Sequence, residues 1–187
     1  MGKRKRRDAV VERLRRAEDE QVLVTVDPGR EADDIDGYVV GVGEVWFVLA
    51  LLDDRIVLDG WAALRIADVR AVHLRRQGEW MRPALRQRGQ WPPAAPTTVP
   101  ELDTPRGPVE SWRHEPLVTV HDEQPDRCYI GVARGLDERF LRLQEVTPRA
   151  AWTDRLTKYP VDEITRIDIG GRYEEALLIS AGPPPAV

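Results

Sequence analysis

The sequence predicts a mainly β protein made of two similar five-stranded modules, with a helix at its N-terminus and a proline-rich linker between the modules. Short β-branched segments bounded by turn residues recur along the chain, as in "VLVTV" from Val22. The same motif returns as "LVTV" from Leu117. The apolar spacing before the last strand is also repeated: Ile66, Val69 and Val72 in the first module, and Val161, Ile164 and Ile167 in the second.

Residues 1–20 are predicted to form a basic arm and a helix, and residues 21–77 the first module. Asp8 can cap the helix, which carries a narrow apolar stripe among charged residues up to Gln21. "VLVTV" then forms a strand that ends at Asp27, before a Pro-Gly turn. "GYVVGVGEVWFVLALL" predicts a hairpin that turns at its glycines, and "IVLDGWAAL" and "RIADVRAVHL" predict the remaining strands.

Residues 78–115 differ in kind, because they contain seven prolines and no sustained hydrophobic period. This composition is typical of a partly extended linker. The segment also contains Trp80, Trp91 and Trp112. A free tether would leave that much aromatic surface in water, so we expect part of the segment to lie against a module.

Residues 116–180 are predicted to repeat the first module, and residues 181–187 to form a flexible tail. "CYIGVARGLDERFLRL" corresponds to "GYVVGVGEVWFVLAL", each with a tyrosine, a glycine, a turn and a phenylalanine in the same order. The pair Gly170 and Gly171 is expected to bend the final strand. Three correspondences in one order indicate an internal duplication.

The strand order in each half resembles that of the Sm-like small β-barrels, and the pattern from Cys128 to Leu177 is similar to small bacterial proteins of one such module. The resemblance implies a bent five-stranded sheet with a short helical turn before its last strand. Sm-like proteins form rings and bind RNA. The predicted strand loops of this chain hold no recognisable basic and aromatic set, and two fused, diverged copies do not suggest a simple homo-ring.

The net charge of −4 is unevenly distributed. Residues 1–20 carry eight basic and five acidic side chains, whereas both predicted modules are acidic and repel phosphate. Five consecutive cations form a candidate arm for nucleic acid: Lys3, Arg4, Lys5, Arg6 and Arg7. The alternative interpretation of this arm is a solvated terminus that aids solubility.

No catalytic constellation is recognisable in the sequence. Cys128 lies in a predicted strand, where a buried structural thiol is the expected role, and His121 nearby does not complete a metal site. The acidic loop 31–37 lacks the later glutamate of a calcium-binding loop, which favours a solvated turn. Adjacent carboxylates point to opposite faces of a strand, which is poor geometry for acid–base catalysis. We therefore predict a protein that is not an enzyme and has no cofactor or metal.

The predicted function is a non-catalytic interaction or scaffold module, which binds a protein partner or self-associates through barrel edges and loops. Trp152, in the longest predicted loop of the second module, is the candidate partner-binding residue; covering the open end of its own barrel is the alternative. An RNA- or DNA-binding accessory protein that uses the basic arm is the competing function. We expect a cytoplasmic protein without membrane contact, because the lone Cys128 cannot form an internal disulfide and no apolar run is long enough to span a bilayer.

Overall fold

A computed structural model describes residues 2–29, 33–124 and 127–186. Its ten strands form one open antiparallel sheet, so the prediction of a mainly β protein with an N-terminal helix is confirmed. The strands are β1 (Leu23–Asp27), β2 (Ile35–Val42), β3 (Trp46–Leu52), β4 (Leu58–Arg65), β5 (Ala71–Leu74), β6 (Val118–His121), β7 (Cys128–Leu136), β8 (Phe140–Val146), β9 (Trp152–Pro160) and β10 (Arg166–Ile169). The α-helices in the described residues are α1 (Lys3–Glu20), α2 (Arg82–Gln87), α3 (Gly107–Trp112) and α4 (Arg172–Ala181).

The order of strands across the sheet is β5-β1-β2-β3-β4-β10-β6-β7-β8-β9. The first five strands of the chain therefore make one half of the sheet, and the last five make the other. The two halves meet where β4 pairs with β10. β5 and β9 are the outer strands of the sheet.

Hydrogen-bond register repeats between the halves. Val24 faces Gly37 and Val118 faces Gly131, and the β2–β3 register recurs in β7–β8 with a bulge at the same place. Each half places a 3₁₀ turn before its last strand, at Ile66–Asp68 and Val161–Glu163. The expected matches of tyrosines and of phenylalanines are wrong, because the residues that correspond to Tyr129 and Phe140 in this register are Ile35 and Trp46.

The helix at the N-terminus begins earlier than expected. It starts at Lys3 instead of Asp8, and Val10, Leu14 and Ala17 bury their side chains against the first half of the sheet. The end of the sheet also differs from the expectation. Gly170 and Gly171 do not bend a strand, because β10 has ended at Ile169 and helix α4 begins at Arg172.

The segment 78–115 is packed against the sheet over much of its length. Trp112 is fully buried in the same hydrophobic cluster as Trp46, and its indole N–H donates to the carbonyl of Thr98 at 2.8 Å. The indoles of Trp46 and Trp61 also donate to carbonyls of this segment, at 3.2 and 2.8 Å. Trp80 is 65% exposed, so one of the segment's three tryptophans stays in water.

No helix in the described part of the chain combines the length and apolar character that crossing a membrane requires.

Candidate interaction surface

The seam between the two halves shows how strands of this protein join edge to edge. β4 and β10 run antiparallel, with Ala63 opposite Ile167, and both residues are buried. The Arg65 amide donates to the carbonyl of Thr165 at 3.0 Å. The Arg65 guanidinium donates to the backbone carbonyls of Val161, Asp162 and Ile164. Arg65 therefore fastens the end of β4 to the 3₁₀ turn of the second half.

A close backbone approach completes the seam. Gly60 has φ of +77°, and a Cβ placed there would lie 2.5 Å from the carbonyl oxygen of Ile169. Only glycine fits this position without a backbone shift. Beside it, the Arg172 amide donates to an Asp59 oxygen at 2.8 Å and its guanidinium contacts Asp53 at 2.5 Å, which ties α4 to the first half.

The outer edge of β5 is short and covered. This strand has only four residues, and Val72 at its middle is fully buried. The guanidinium of Arg13, on α1, donates to the Val72 carbonyl at 3.1 Å. A backbone group at this edge is thereby satisfied within the chain, which protects the edge from added strands.

The outer edge of β9 is longer and more open. The strand runs for nine residues, and Asp154, Arg155 and Lys158 are exposed. The amide of Val161, just after β9, donates to the carbonyl of Arg139, just before β8. At the other end, the carbonyl of Ala151 accepts from the amide of Thr147, just after β8. The β8–β9 register shifts between Gln144 and Val146, so residues 153–155 lie opposite the single residue Glu145, whose amide donates to the Thr153 hydroxyl. On both sides of this bulge the odd-numbered residues face β8, so residues 156 and 158 face outward, and Asp154 lies within the bulge with an exposed side chain.

Tyr159 anchors this edge to the body. Its ring is buried opposite Leu141, and its hydroxyl donates to a Glu145 carboxylate oxygen at 2.6 Å. Burial first, and then the hydrogen bond and charge of Glu145, raise the pKa of Tyr159 well above its usual value. The phenol therefore stays protonated and keeps its donor role at any physiological pH.

The prediction that Trp152 lies in a loop is wrong, because Trp152 is the first residue of β9. It is half-buried, and its indole N–H donates to the Gly182 carbonyl at 3.1 Å. It packs in a small cluster with Leu177 and Leu178 of α4. The described contacts of Trp152 are thus within its own chain, with the region of α4 and with Val146 of β8.

The candidate nucleic-acid arm lies within α1, because Lys3–Arg7 form its first turns. The Arg7 guanidinium donates to the carbonyl of Glu44 at 2.6 Å. Farther along, Arg13 contacts Val72, as described, and Arg16 pairs with Glu20. Several cations of this helix therefore have partners within the chain.

A buried ionic cluster joins β6 and β10. Asp168 is 8% exposed, and its carboxylate accepts two hydrogen bonds from Arg166 at 2.7 Å and lies 3.2 Å from His121 Nε2. Burial raises the pKa of Asp168, but the charges and hydrogen bonds of Arg166 and His121 outweigh it and hold this pKa at about 2.

Cys128 sits at the edge of this cluster, opposite His121, and is exposed, so the expectation of a buried thiol is wrong. Desolvation by neighbouring atoms first, and then the charges of Asp168 and Glu174, raise the pKa of the Cys128 thiol. A raised pKa lowers the thiolate fraction, which is the opposite of what an activated nucleophile requires.

Carboxylates line a cavity of about 480 Å³ in which both halves take part. They are Asp33, Asp34, Asp36, Asp53, Asp59, Asp68, Asp122 and Glu123. Within the described residues, no group of three or more histidine, cysteine or acidic side chains is arranged to hold a metal ion. The acidic loop 31–37 lies partly outside the described residues, at positions 31 and 32.

Two parts of this surface were not recognised in the sequence: the open edge of β9 and the helix α4. No family model, curated protein or solved structure matches the chain. The geometry of the chain itself therefore carries the functional argument. Its open strand edge suits backbone pairing with another strand.

Proposed function

We propose that this chain is a non-catalytic interaction module whose docking element is the outer edge of β9. The observation that carries the proposal is the difference between the two outer strands. β5 has four residues and its edge is covered by α1, whereas β9 has nine residues and three exposed charged side chains. An accessible strand edge binds another strand through its backbone groups, while side chains set specificity.

The proposal includes the architecture predicted from the sequence: two tandem Sm-like small barrels related by duplication. Its support is the register. Adding 94 to three of the four β1–β2 pairings gives β6–β7 pairings, and adding 94 to all five β2–β3 pairings gives the β7–β8 pairings. Adding 95 carries Val69 to Ile164, the residue that follows the 3₁₀ turn in each half. In this proposal the β4–β10 seam is an edge-to-edge contact between two barrels of one chain.

The competing function is an accessory protein that binds RNA or DNA through Lys3–Arg7. The exposed side chains of Arg4 and Lys5 at the start of α1 favour it. About five phosphate contacts would make the affinity fall with salt, with a log–log slope near −3.5 to −4.5. The acidic remainder of the chain opposes binding over a wider surface.

The proposal is tested by capturing partners of the purified full chain from native cytosol, with and without nuclease, and repeating the capture with two variants of one residue. Leu156→Pro removes an outward-facing amide of β9, and Leu156→Ala removes the side chain but keeps that amide. Circular dichroism and thermal unfolding establish that both variants are folded. A variant lacking residues 1–8 tests the arm.

We expect a protein partner that survives nuclease, is retained by Leu156→Ala and is lost with Leu156→Pro. Capture that is equal for both variants would contradict the role of the β9 edge. Recovery of nucleic acid that disappears with residues 1–8 would overturn the interaction module and establish the competing function.

A further inference from the structure

We infer that the strand that occupies the β9 edge is β9 of a second copy of this chain, paired antiparallel about a two-fold axis through Leu156. The inference rests on the proposed function, because it names the partner of the same edge. An isologous contact of this kind closes after two copies, since each chain uses the same patch.

The charges of β9 select this register. Leu156 and Lys158 face outward on the regular part of the strand, and Asp154 lies two residues before Leu156 in the bulge, with an exposed side chain. With the axis at Leu156, Asp154 of each copy lies opposite Lys158 of the other, which makes two symmetric ion pairs. Opposite charges at facing positions stabilise an antiparallel pair.

Neighbouring registers lack this complementarity. An axis at Asp154, at Arg155 or at Lys158 places each of these residues opposite its own copy, and like charges at facing positions are destabilising. An axis at Thr157 forms no Asp154–Lys158 pair and sets Asp154 against Pro160. The axis at Leu156 is thus the register that uses both charges and places an apolar residue at the centre.

Both charges are available for a partner. In the part of the chain that the structure describes, Asp154 has no ion pair or side-chain hydrogen bond. The Lys158 ammonium lies 5.9 Å from the ring centre of Phe140 and is in no ion pair among those residues. Lys158 lies opposite Arg142 on β8, and Arg142 already has Asp137 as its carboxylate partner, so an incoming carboxylate would be available to Lys158.

Pairing of β9 with β5 of another copy, in the manner of the β4–β10 seam, is opposed by three features. Arg65 pairs with the first residue of β3, and Pro160 pairs with the first residue of β8, so Pro160 holds in the second half the position of Arg65 in the first. Proline has no N–H and no guanidinium, so it cannot make the contacts that Arg65 makes in the seam. Asp154 and Arg155 occupy the part of β9 that corresponds to Gly60, where the seam admits no Cβ. The third feature is the burial of Val72 beneath α1.

The proline also limits the length of the contact. In the inferred register Pro160 lies opposite Trp152 of the second copy and has no N–H to donate, so regular pairing ends there. The contact is then a short stretch of backbone hydrogen bonds with two ion pairs. An interface of this size is typical of a reversible dimer rather than an obligate one.

Charge exchange tests the inference with the full chain. Sedimentation velocity over a range of concentrations measures dimerisation of the unmodified chain, Asp154→Lys, Lys158→Asp and the double variant. Each single change sets like charges against each other twice per dimer, and we expect the Kd for dimerisation to rise about 10- to 30-fold. The double variant restores opposite charges at the same positions and should return the Kd to near its original value. Arg155→Asp alters net charge as much as Lys158→Asp, but it faces Thr157 of the second copy and should change the Kd far less.

A cross-link measures the register itself. In a Cys128→Ser background, Leu156→Cys places two thiols at a hydrogen-bonded pair on the axis, about 5.5 Å apart between Cα atoms, which suits a disulfide. Lys158→Cys places them several residues apart, and no cross-link is expected. A chain that stays monomeric at all concentrations, or a double variant as weak as the single ones, would overturn the inference. If a different protein is then captured through the β9 edge, the proposed function stands without it.

Discussion

Replacing Asp168 with asparagine removes the negative charge at the centre of the ionic cluster between β6 and β10. The pKa of Asp168 lies at about 2 in the folded chain, against an ordinary value of 3.8. At about 1.4 kcal/mol per unit, this difference corresponds to about 2–3 kcal/mol of folding stability above pH 4. We expect the Asp168→Asn variant to lose about that amount at pH 7, because Arg166 and His121 lose their counter-charge.

The dependence on pH has a definite sign. A carboxyl group with a lowered pKa stabilises the fold while it is ionised, so this contribution is present above pH 4 and is lost as pH falls from 4 towards 2. Urea unfolding at pH 7, 5, 4 and 3 measures the gap between the unmodified chain and the variant, which is the difference in their free energies of unfolding. We expect a constant gap from pH 7 to 5 and a narrowing gap below 4.

The matched control for this experiment is Asp154→Asn, an exposed carboxylate on the same sheet, measured at a concentration where the chain is monomeric. Its unfolding free energy should stay within about 0.5 kcal/mol of the unmodified chain at every pH. A gap for Asp168→Asn that is absent at pH 7, or that stays the same down to pH 3, would refute the account of the cluster.

Two further predictions concern packing. Trp112→Ala should lower the free energy of unfolding by about 3–5 kcal/mol, because this side chain is fully buried. Trp80→Ala in the same segment should lower it by less than about 0.5 kcal/mol, because its side chain is 65% exposed. Urea unfolding compares the two variants, and equal losses would show that residues 78–115 do not pack as described. Gly131→Ala should cost about 1–3 kcal/mol, since a Cβ there would lie 2.4 Å from a backbone oxygen of β8, while Gly135→Ala on the same strand meets only the Arg142 side chain at 3.5 Å and should be tolerated. Thermal unfolding separates the two variants, and an unchanged Gly131→Ala would contradict the β7–β8 register.

Local sequence patterns predicted the strands of this fold well. The β-branched segment at Val24 and the apolar spacing at Ile66, Val69 and Val72 are signals within a few neighbouring residues, and they indicate the strands β1 and β5 and the turn before β5. The sequence places the start of α1 too late, because five cations without an acidic residue oppose the helix dipole at that end. Burial of the later apolar stripe against the sheet outweighs this local cost.

The candidate surface was harder to predict. Whether β9 or β5 is open depends on which strand α1 covers and on the pairing of β4 with β10, and these contacts join residues far apart in the sequence. The segment "TPRAAWTDRLTKYP" mixes proline and charged residues, which predicts a loop at Trp152. Pairing with β8 makes most of that segment a strand, with its charges along the open edge.

Amide hydrogen exchange of β9, followed by NMR at low and high protein concentration, tests the central claim most directly. The amides of residues 157 and 159 face β8 and should be protected at every concentration. The outward-facing amides of Leu156 and Lys158 should exchange quickly in the dilute chain and become protected as concentration rises. Outward-facing amides that stay unprotected at the highest concentration, or that are already protected in the dilute monomer, would contradict an open β9 edge that binds a second copy.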